Sequence, residues 1–241
     1  MAEQVDTLAY LVRLFTAEEF REELQKICED ERLRTLLFLS IPILRESMSS
    51  EQYVEKVRKF QYILPGEENV MGMHNIERFR EKRLLMGVEY LDLVLEYIEQ
   101  ENYTLYLVGD RLEKLSFLLY YCREQYPGIS VVGTFVGGEK MDDESLLNDI
   151  NVTCPDIIMT AIEPQLQENW IADNHHKFNG LLCIGADVLV RRKMNQYSQM
   201  EVGQAGGTFF TQWKAAKVRM IERIKGRIFR KEYDNYMKKK A

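Results

Sequence analysis

Two of the short runs of metal-ligating residue types in this 241-residue sequence invite a metal reading, and neither has the spacing of a metal centre. Asp142-Asp143-Glu144 gathers three acids, but acids crowding a helix start are accounted for by the helix macrodipole. His175 and His176 are adjacent, so one helix face cannot present both to an ion as an i, i+4 pair would. No metal is expected at either place. No Gly-x-Gly-x-x-Gly or Gly-x-x-x-x-Gly-Lys run is present to cradle a dinucleotide or a triphosphate, which argues against an unrelated nucleotide-binding α/β protein. What remains are turns that follow apolar, strand-like runs: Gly109-Asp110, Gly137-Gly138, Ile162 to Gln167 and Gly185 to Asp187. In a parallel sheet such turns lie at the carboxyl ends of the strands, where ligands bind.

The elements that must position those turns are legible in the hydrophobic period. Tyr103 to Val108 is a β-favouring run closed by Gly109, and Leu112, Leu115, Leu119 and Cys122 then recur at helical steps. That helix is predicted to stop before Pro127-Gly128, with Asp110 as its N-cap and Glu113 as the reciprocal acid of a capping box. The unit repeats: a strand over Ser130 to Val136, a helix from about Asp142 to Cys154, a strand over Asp156 to Ile162, another helix, and a strand over Leu181 to Ile184. Strands alternating with helices long enough to cross a sheet predict an α/β protein, Rossmann-like, with a mostly parallel sheet and helices on both faces. Upstream, Thr16-x-x-Glu19 is a capping box opening a helix whose Phe20, Leu24 and Ile27 share a face. A strand at Thr35 to Leu39, a helix from Ser49 or Ser50 carrying Val54 and Val57, and a short strand at Tyr62-Ile63-Leu64 form the first half of the sheet. Gly66 to Arg83 reads as a loop with a short helix around Asn75 to Phe79, and Val88 to Gln100 as a helix presenting Leu91, Leu95 and Ile98.

Composition narrows the class. A hydrophobic content of 46% fits an ordinary globular protein. Cys28, Cys122, Cys154 and Cys183 are scattered without a Cys-x-x-Cys pair, and read as buried thiols of a reducing cytoplasm. No run approaches the ~20 apolar residues of a membrane span, and the N-terminal stretch lacks the pattern of a signal peptide. Residues 214–240 hold eleven Lys or Arg and three acids, a net +8 that leaves −14 elsewhere given a whole-chain charge of −6. The expected organisation is an α/β domain over residues 1–205 and a basic amphipathic appendage over 206–241.

Tyr126-Pro127-Gly128-Ile129-Ser130-Val131-Val132-Gly133-Thr134, Pro155-Asp156-Ile157-Ile158 and Gln167-Glu168-Asn169-Trp170-Ile171, with Leu64-Pro65 upstream, resemble in order and spacing the WecG/TagA/CpsF family of bacterial glycosyltransferases. The likeness covers roughly Val5 to Gly185. It implies an inverting transferase that moves an N-acetylhexosamine, N-acetylmannosamine-like, from a UDP-sugar to a polyprenyl-diphosphate-linked sugar in cell-surface polysaccharide synthesis, with a base to accept a proton from the attacking hydroxyl. The implied setting is cytoplasmic, peripheral at the inner face of a bacterial membrane. No cofactor is implied.

The departures from the family pattern fall on its chemistry. Gly66, followed by Glu67 and Glu68, stands where the family has the Asp of Leu-Pro-Asp-Gly, its proposed base. Ser40-Ile41-Pro42 replaces a Thr-x-Asn that contacts substrate. Ala161-Ile162-Glu163-Pro164-Gln165 puts a carboxylate where the family has Gly-x-Gly-Ala-Pro, and Gly185-Ala186-Asp187 is what remains of a Gly-x-Gly-x-x-Phe-Asp. The catalytic candidates are therefore Glu67, as a displaced base, and Gln167, which opens a helix whose N–H groups favour anions. Ser40, Arg83, Asp110, Glu168 and Asp187 are the substrate-binding candidates, Arg83 as a clamp on diphosphate. A catalytically inactive relative, binding a sugar nucleotide or a partner protein, is the alternative. In the tail, Ile221, Ile224 and Ile228 lie along one side of a helical pattern flanked by Arg219, Arg223, Arg227 and Arg230. These four arginines are the candidates for an anionic membrane surface, ahead of docking on the acidic body and of nucleic acid. A homo-oligomer is a further expectation.

Overall fold

The computed structural model describes residues 3–7, 10–30, 32–71, 82–137, 143–204, 228–229 and 231–239. The chain divides into two compact units, residues 1–190 and 191–241. The first opens with an antiparallel hairpin that the sequence reading did not anticipate, β1 (Glu3–Thr7) and β2 (Tyr10–Leu14). Helix α1 (Ala17–Glu29) follows, capped as expected: the Thr16 hydroxyl accepts from the Glu19 N–H at 3.3 Å, and Glu19 accepts from the Thr16 N–H at 3.1 Å. Its buried face is Phe20, Leu24, Ile27 and Cys28.

β3 (Arg34–Leu39) leads into α2 (Ile41–Ser49) and α3 (Glu51–Val57), then β4 (Tyr62–Pro65). Ser50 caps α3 by accepting from the Tyr53 N–H at 3.2 Å. A short α4 (Glu68–Met71) begins the segment expected to be a loop, and the helix expected around Asn75 to Phe79 lies outside the described residues. α5 (Val88–Gln100), β5 (Thr104–Gly109), α6 (Leu112–Gln125), β6 (Ser130–Val136), α7 (Asp143–Thr153), β7 (Ile157–Ala161), α8 (Leu166–Asn174), a 3-10 turn at His175–Lys177, β8 (Leu182–Gly185) and α9 (Asp187–Gln204) complete the series.

Six strands form one parallel sheet in the order β4-β3-β8-β7-β5-β6. The central strands are buried along their length, with Thr104 at the start of β5 half-buried, as parallel strands covered on both faces must be. The path runs one way along the sheet from β3 to β4 and from β6 through β7 to β8, and the opposite way from β4 through β5 to β6. Right-handed crossovers therefore put α2, α3, α7 and α8 on one face and α5 and α6 on the other. Accordingly α3 packs on α8, and α1 on α5. Neighbouring strands whose connections leave to opposite faces open crevices at the carboxyl edge. This happens between β3 and β4, between β7 and β5 and between β5 and β6, and the predicted polar residues gather at the first two.

In the second unit, residues 228–229 and 231–239 are helical. Phe229 and Tyr233 are buried, with ring centroids 6.1 Å apart.

Candidate active site at the carboxyl edge of the sheet

The first crevice is built by the ends of β3 and β4. Ser40 leaves β3 in extended conformation and begins α2, with Pro42 in the first turn, where its missing N–H costs nothing. The Ser40 side chain makes no capping bond; its Oγ is fully buried and has no hydrogen-bond partner among the described residues. The cap comes from across the crevice. Glu67 is 6% exposed, and its Oε1 accepts from the Ile41 N–H at 3.2 Å, placing a carboxylate at the positive end of α2. Gly66 lies between them, its N–H donating to the Leu39 carbonyl at 2.9 Å. A β-carbon there would come 2.6 Å from Cγ1 of Val188 and 2.8 Å from the Leu39 carbonyl oxygen. The space that any side chain at 66 would need is filled by α9 and β3. Arg83 is exposed on a turn at φ 52°. The residues after it are tied to this crevice, because the Gly87 N–H donates to the Pro65 carbonyl at 3.3 Å.

The second crevice brings together three of the predicted residues. Asp110 is not the cap of α6: the N-cap is Arg111, which makes no side-chain capping bond, so the capping box with Glu113 is not formed. The Asp110 carboxylate instead turns inward. Its Oδ2 accepts from Lys114 Nζ at 3.0 Å and from the Glu163 N–H at 2.9 Å, bridging β5 to β7. Lys114, 4% exposed, also donates to Asp187 Oδ1 at 2.5 Å. Two carboxylates thus share one buried ammonium; the Asp110 Oδ1 approach at 2.9 Å is ionic, without hydrogen-bond geometry. Gln167 is buried, its Oε1 accepting from the Thr160 hydroxyl at 2.8 Å and the Asp187 N–H at 3.4 Å. Gly185 makes that possible, since a β-carbon there would sit 2.9 Å from Gln167 Nε2. Glu163 is exposed and ion-paired with Arg111.

Glu168 points away from solvent altogether. It is fully buried, with Oε2 accepting from the Tyr53 hydroxyl at 2.7 Å and from the Gln165 N–H, and Oε1 accepting from Gln167 Nε2 at 3.2 Å. Burial raises its carboxyl above the ordinary carboxylate range, and these hydrogen bonds oppose the rise. Gln165, at φ 74°, reaches across to Glu46 at 2.8 Å. The two crevices adjoin through β8 and α9, for β3 pairs with β8 up to Leu37 opposite Gly185, and Val188 abuts Gly66.

The sequence reading missed Lys114 and Thr160. Lys114 had a signal, a lysine four residues after Asp110 and beside the inward residues Leu115 and Leu118; Thr160 had none beyond its place in a strand. Arg219, Arg223, Arg227 and Arg230 lie outside the described residues, as do Gly138 and Asp142. His175 Nδ1 lies 3.1 Å from the Ile171 carbonyl, and the His176 ring stands edge-on to that of His175. Cys28, Cys122 and Cys183 are buried, but Cys154, expected inside, is exposed: it ends α7 at φ 47°, beyond the helix's buried residues Leu146 and Ile150.

Fold and edge together define a doubly wound α/β protein whose polar side chains converge on two crevices at the carboxyl ends of its strands. The chain belongs to the Glycosyl transferase WecG/TagA/CpsF family, whose model matches residues 5–190. It is 24% identical over 144 residues to the N-acetylglucosaminyldiphosphoundecaprenol N-acetyl-beta-D-mannosaminyltransferases of Staphylococcus aureus strains NCTC 8325 / PS 47, COL and MSSA476, covering 59% of this chain and 56% of each relative. The match thus spans about half the length of these curated relatives.

Proposed function

We propose that this chain is a glycosyltransferase that moves an N-acetylhexosamine, N-acetylmannosamine-like, from a UDP-sugar to a sugar carried on polyprenyl diphosphate, with inversion. The observation that carries the reading is the family match, which runs through every strand of the parallel sheet and both crevices. The relatives' names give the donor sugar and the lipid-linked acceptor. In this reading Gln167 and the Asp187 N–H line the donor side, Ser40 offers its unpartnered hydroxyl to substrate, Arg83 meets the diphosphate, and Asp110 and Glu168 hold the turns that close the crevices. Glu67 is the base, and to accept a proton it must exchange its bond to the Ile41 N–H for one to the acceptor hydroxyl.

Two observations keep a second reading to be tested. Gly66 has no room for the family's aspartate, and Glu67 is engaged in capping α2. A relative that binds a sugar nucleotide without turning it over would look like this. One experiment separates the two. The full chain is tested for thermal stabilisation by UDP and UDP-N-acetylmannosamine, and for disaccharide formation on N-acetylglucosaminyl-diphosphoundecaprenol. A transferase gives a stabilising shift and product, with Glu67→Gln lowering kcat by on the order of 100-fold. A shift without product selects the second reading, and neither shift nor product overturns both.

A further inference from the structure

Helix α6 carries two apolar stripes. Leu115, Leu118 and Cys122 are buried, whereas Leu112 is 68%, Tyr120 49% and Leu119 37% exposed. The outer stripe borders an open groove of about 760 Å³ between α6 and β6, whose walls include Leu119, Tyr120, Arg123 and Val132. β6 is the outermost strand on this side of the sheet, and its seven residues, Ser-Val-Val-Gly-Thr-Phe-Val, contain neither charge nor proline. The opposite edge is treated differently: β2 packs beside β4, with the Arg13 guanidinium 4.3 Å above the Tyr62 ring. Sheets ordinarily protect an edge with charge, proline, a bulge or a covering element. The protection on β6 is a register shift between Leu105 and Tyr106, which leaves Val132 outside the ladder. Such an interruption opposes open-ended sheet growth while leaving the apolar surface in place.

We infer that this surface is the interface of a two-fold dimer of the chain, with α6 antiparallel to α6 of the second copy and the β6 edges alongside. The occupant follows from charge. Glu113, Ser116, Tyr120 and Arg123 recur at steps of three, four and three, so they form one exposed line along α6, acidic at its start and basic at its end. Neither Glu113 nor Arg123 has an ion-pair partner among the described residues. An antiparallel pairing about the level of Leu118 sets Glu113 against Arg123 of the second copy and Ser116 against its Tyr120, each twice, as an isologous contact requires. Leu119, one residue from the axis, then lies beside Leu119 of the second copy. A parallel arrangement would set acid against acid and base against base. A 14-residue helix and a seven-residue strand each supply a rail of about 20 Å, the breadth a contact of about 800 Å² per partner needs.

The test is sedimentation of the full chain and three variants at concentrations up to ~100 µM, where even a weak dimer is populated. The wild type is expected to be a dimer. Glu113→Arg and Arg123→Glu each place two like-charge pairs in the seam and weaken association at least about tenfold, and the two together restore it. Leu119→Asp gives monomer. All these side chains are exposed, so the monomeric variants still unfold cooperatively, and their melting temperatures fall only by the stabilisation that association gives the wild type at the same concentration. A monomeric wild type, a dimer indifferent to these changes, or a charge swap that fails to rescue overturns the proposal. None of these outcomes bears on the transferase reading, which rests on the family match and on crevice side chains that none of these variants exchanges.

Discussion

Gly66 shows how completely one residue can be committed by its neighbours. Its missing side chain is not an open vacancy, because Val188 from α9 and the Leu39 carbonyl from β3 occupy the volume where a β-carbon would project. Restoring a carboxylate there would overpack the crevice rather than rebuild it. Gly66→Ala is expected to destabilise the fold by about 1–3 kcal/mol, read as a lower urea midpoint at unchanged m-value. Adding Val188→Ala removes the 2.6 Å contact but leaves the carbonyl contact at 2.8 Å. The double variant should therefore recover only part of the loss, a coupling that residues in direct contact show and distant ones do not. Full additivity of the two substitutions would refute this packing account. Lys114 is committed in the opposite sense. It neutralises one of the two carboxylates it touches, and removing it would leave Asp110 and Asp187 facing one another in a nearly closed site.

At the scale of elements, the start of α8 couples stability to pH. Glu168 joins α8 to α3 through Tyr53, and burial raises its pKa in the folded state above the unfolded value of about 4.3. The native state then binds the proton more tightly than the unfolded chain, so this group's contribution is complete below about pH 4.3 and is lost as pH rises through the folded pKa. Glu168→Gln keeps a neutral acceptor for Tyr53 and removes the titration. Its stability relative to wild type should grow as pH rises from about 4 towards 7, measured as the difference in urea midpoints. A constant difference across that range would show that Glu168 does not titrate in this window. Elements with one apolar stripe, such as α1 and α5, were legible in sequence because period and burial coincide. α6 was legible as a helix but not in its facing, since Leu112 and Leu119 belong to the outer stripe and Leu115, Leu118 and Cys122 to the inner one. The hairpin was hidden because Leu11, apolar and exposed, blurs the alternation of Tyr10, Val12 and Leu14. α2 was hidden because Ser40 provides no side-chain cap and its signal, Glu67, lies on another strand. The carboxyl-edge turns were readable from strand order, but which carboxylate bonds to which N–H is a tertiary fact without a local sequence mark.

For the molecule as a whole, the charge distribution sets a condition on any membrane role. Residues 214–240 carry +8 and the remainder −14, so an anionic surface attracts the former and repels the latter. The attraction is about 1 kcal/mol per cation close to an anionic surface and is screened over about 8 Å at physiological ionic strength. Replacing Arg219, Arg223, Arg227 and Arg230 with serine therefore removes about 4 kcal/mol, on the order of a thousandfold in affinity at low salt. The wild-type chain is expected to cosediment with vesicles of phosphatidylglycerol and phosphatidylcholine, to stay in solution with phosphatidylcholine alone, and to be released by about 1 M salt. The fourfold variant is expected to stay in solution with both. Equal retention of wild type and variant on the anionic vesicles would assign the arginines no part in membrane contact. Binding to neutral vesicles that resists salt would shift the attraction from charge to the apolar line of Ile221, Ile224 and Ile228, because burial of methylenes in the interface is indifferent to screening.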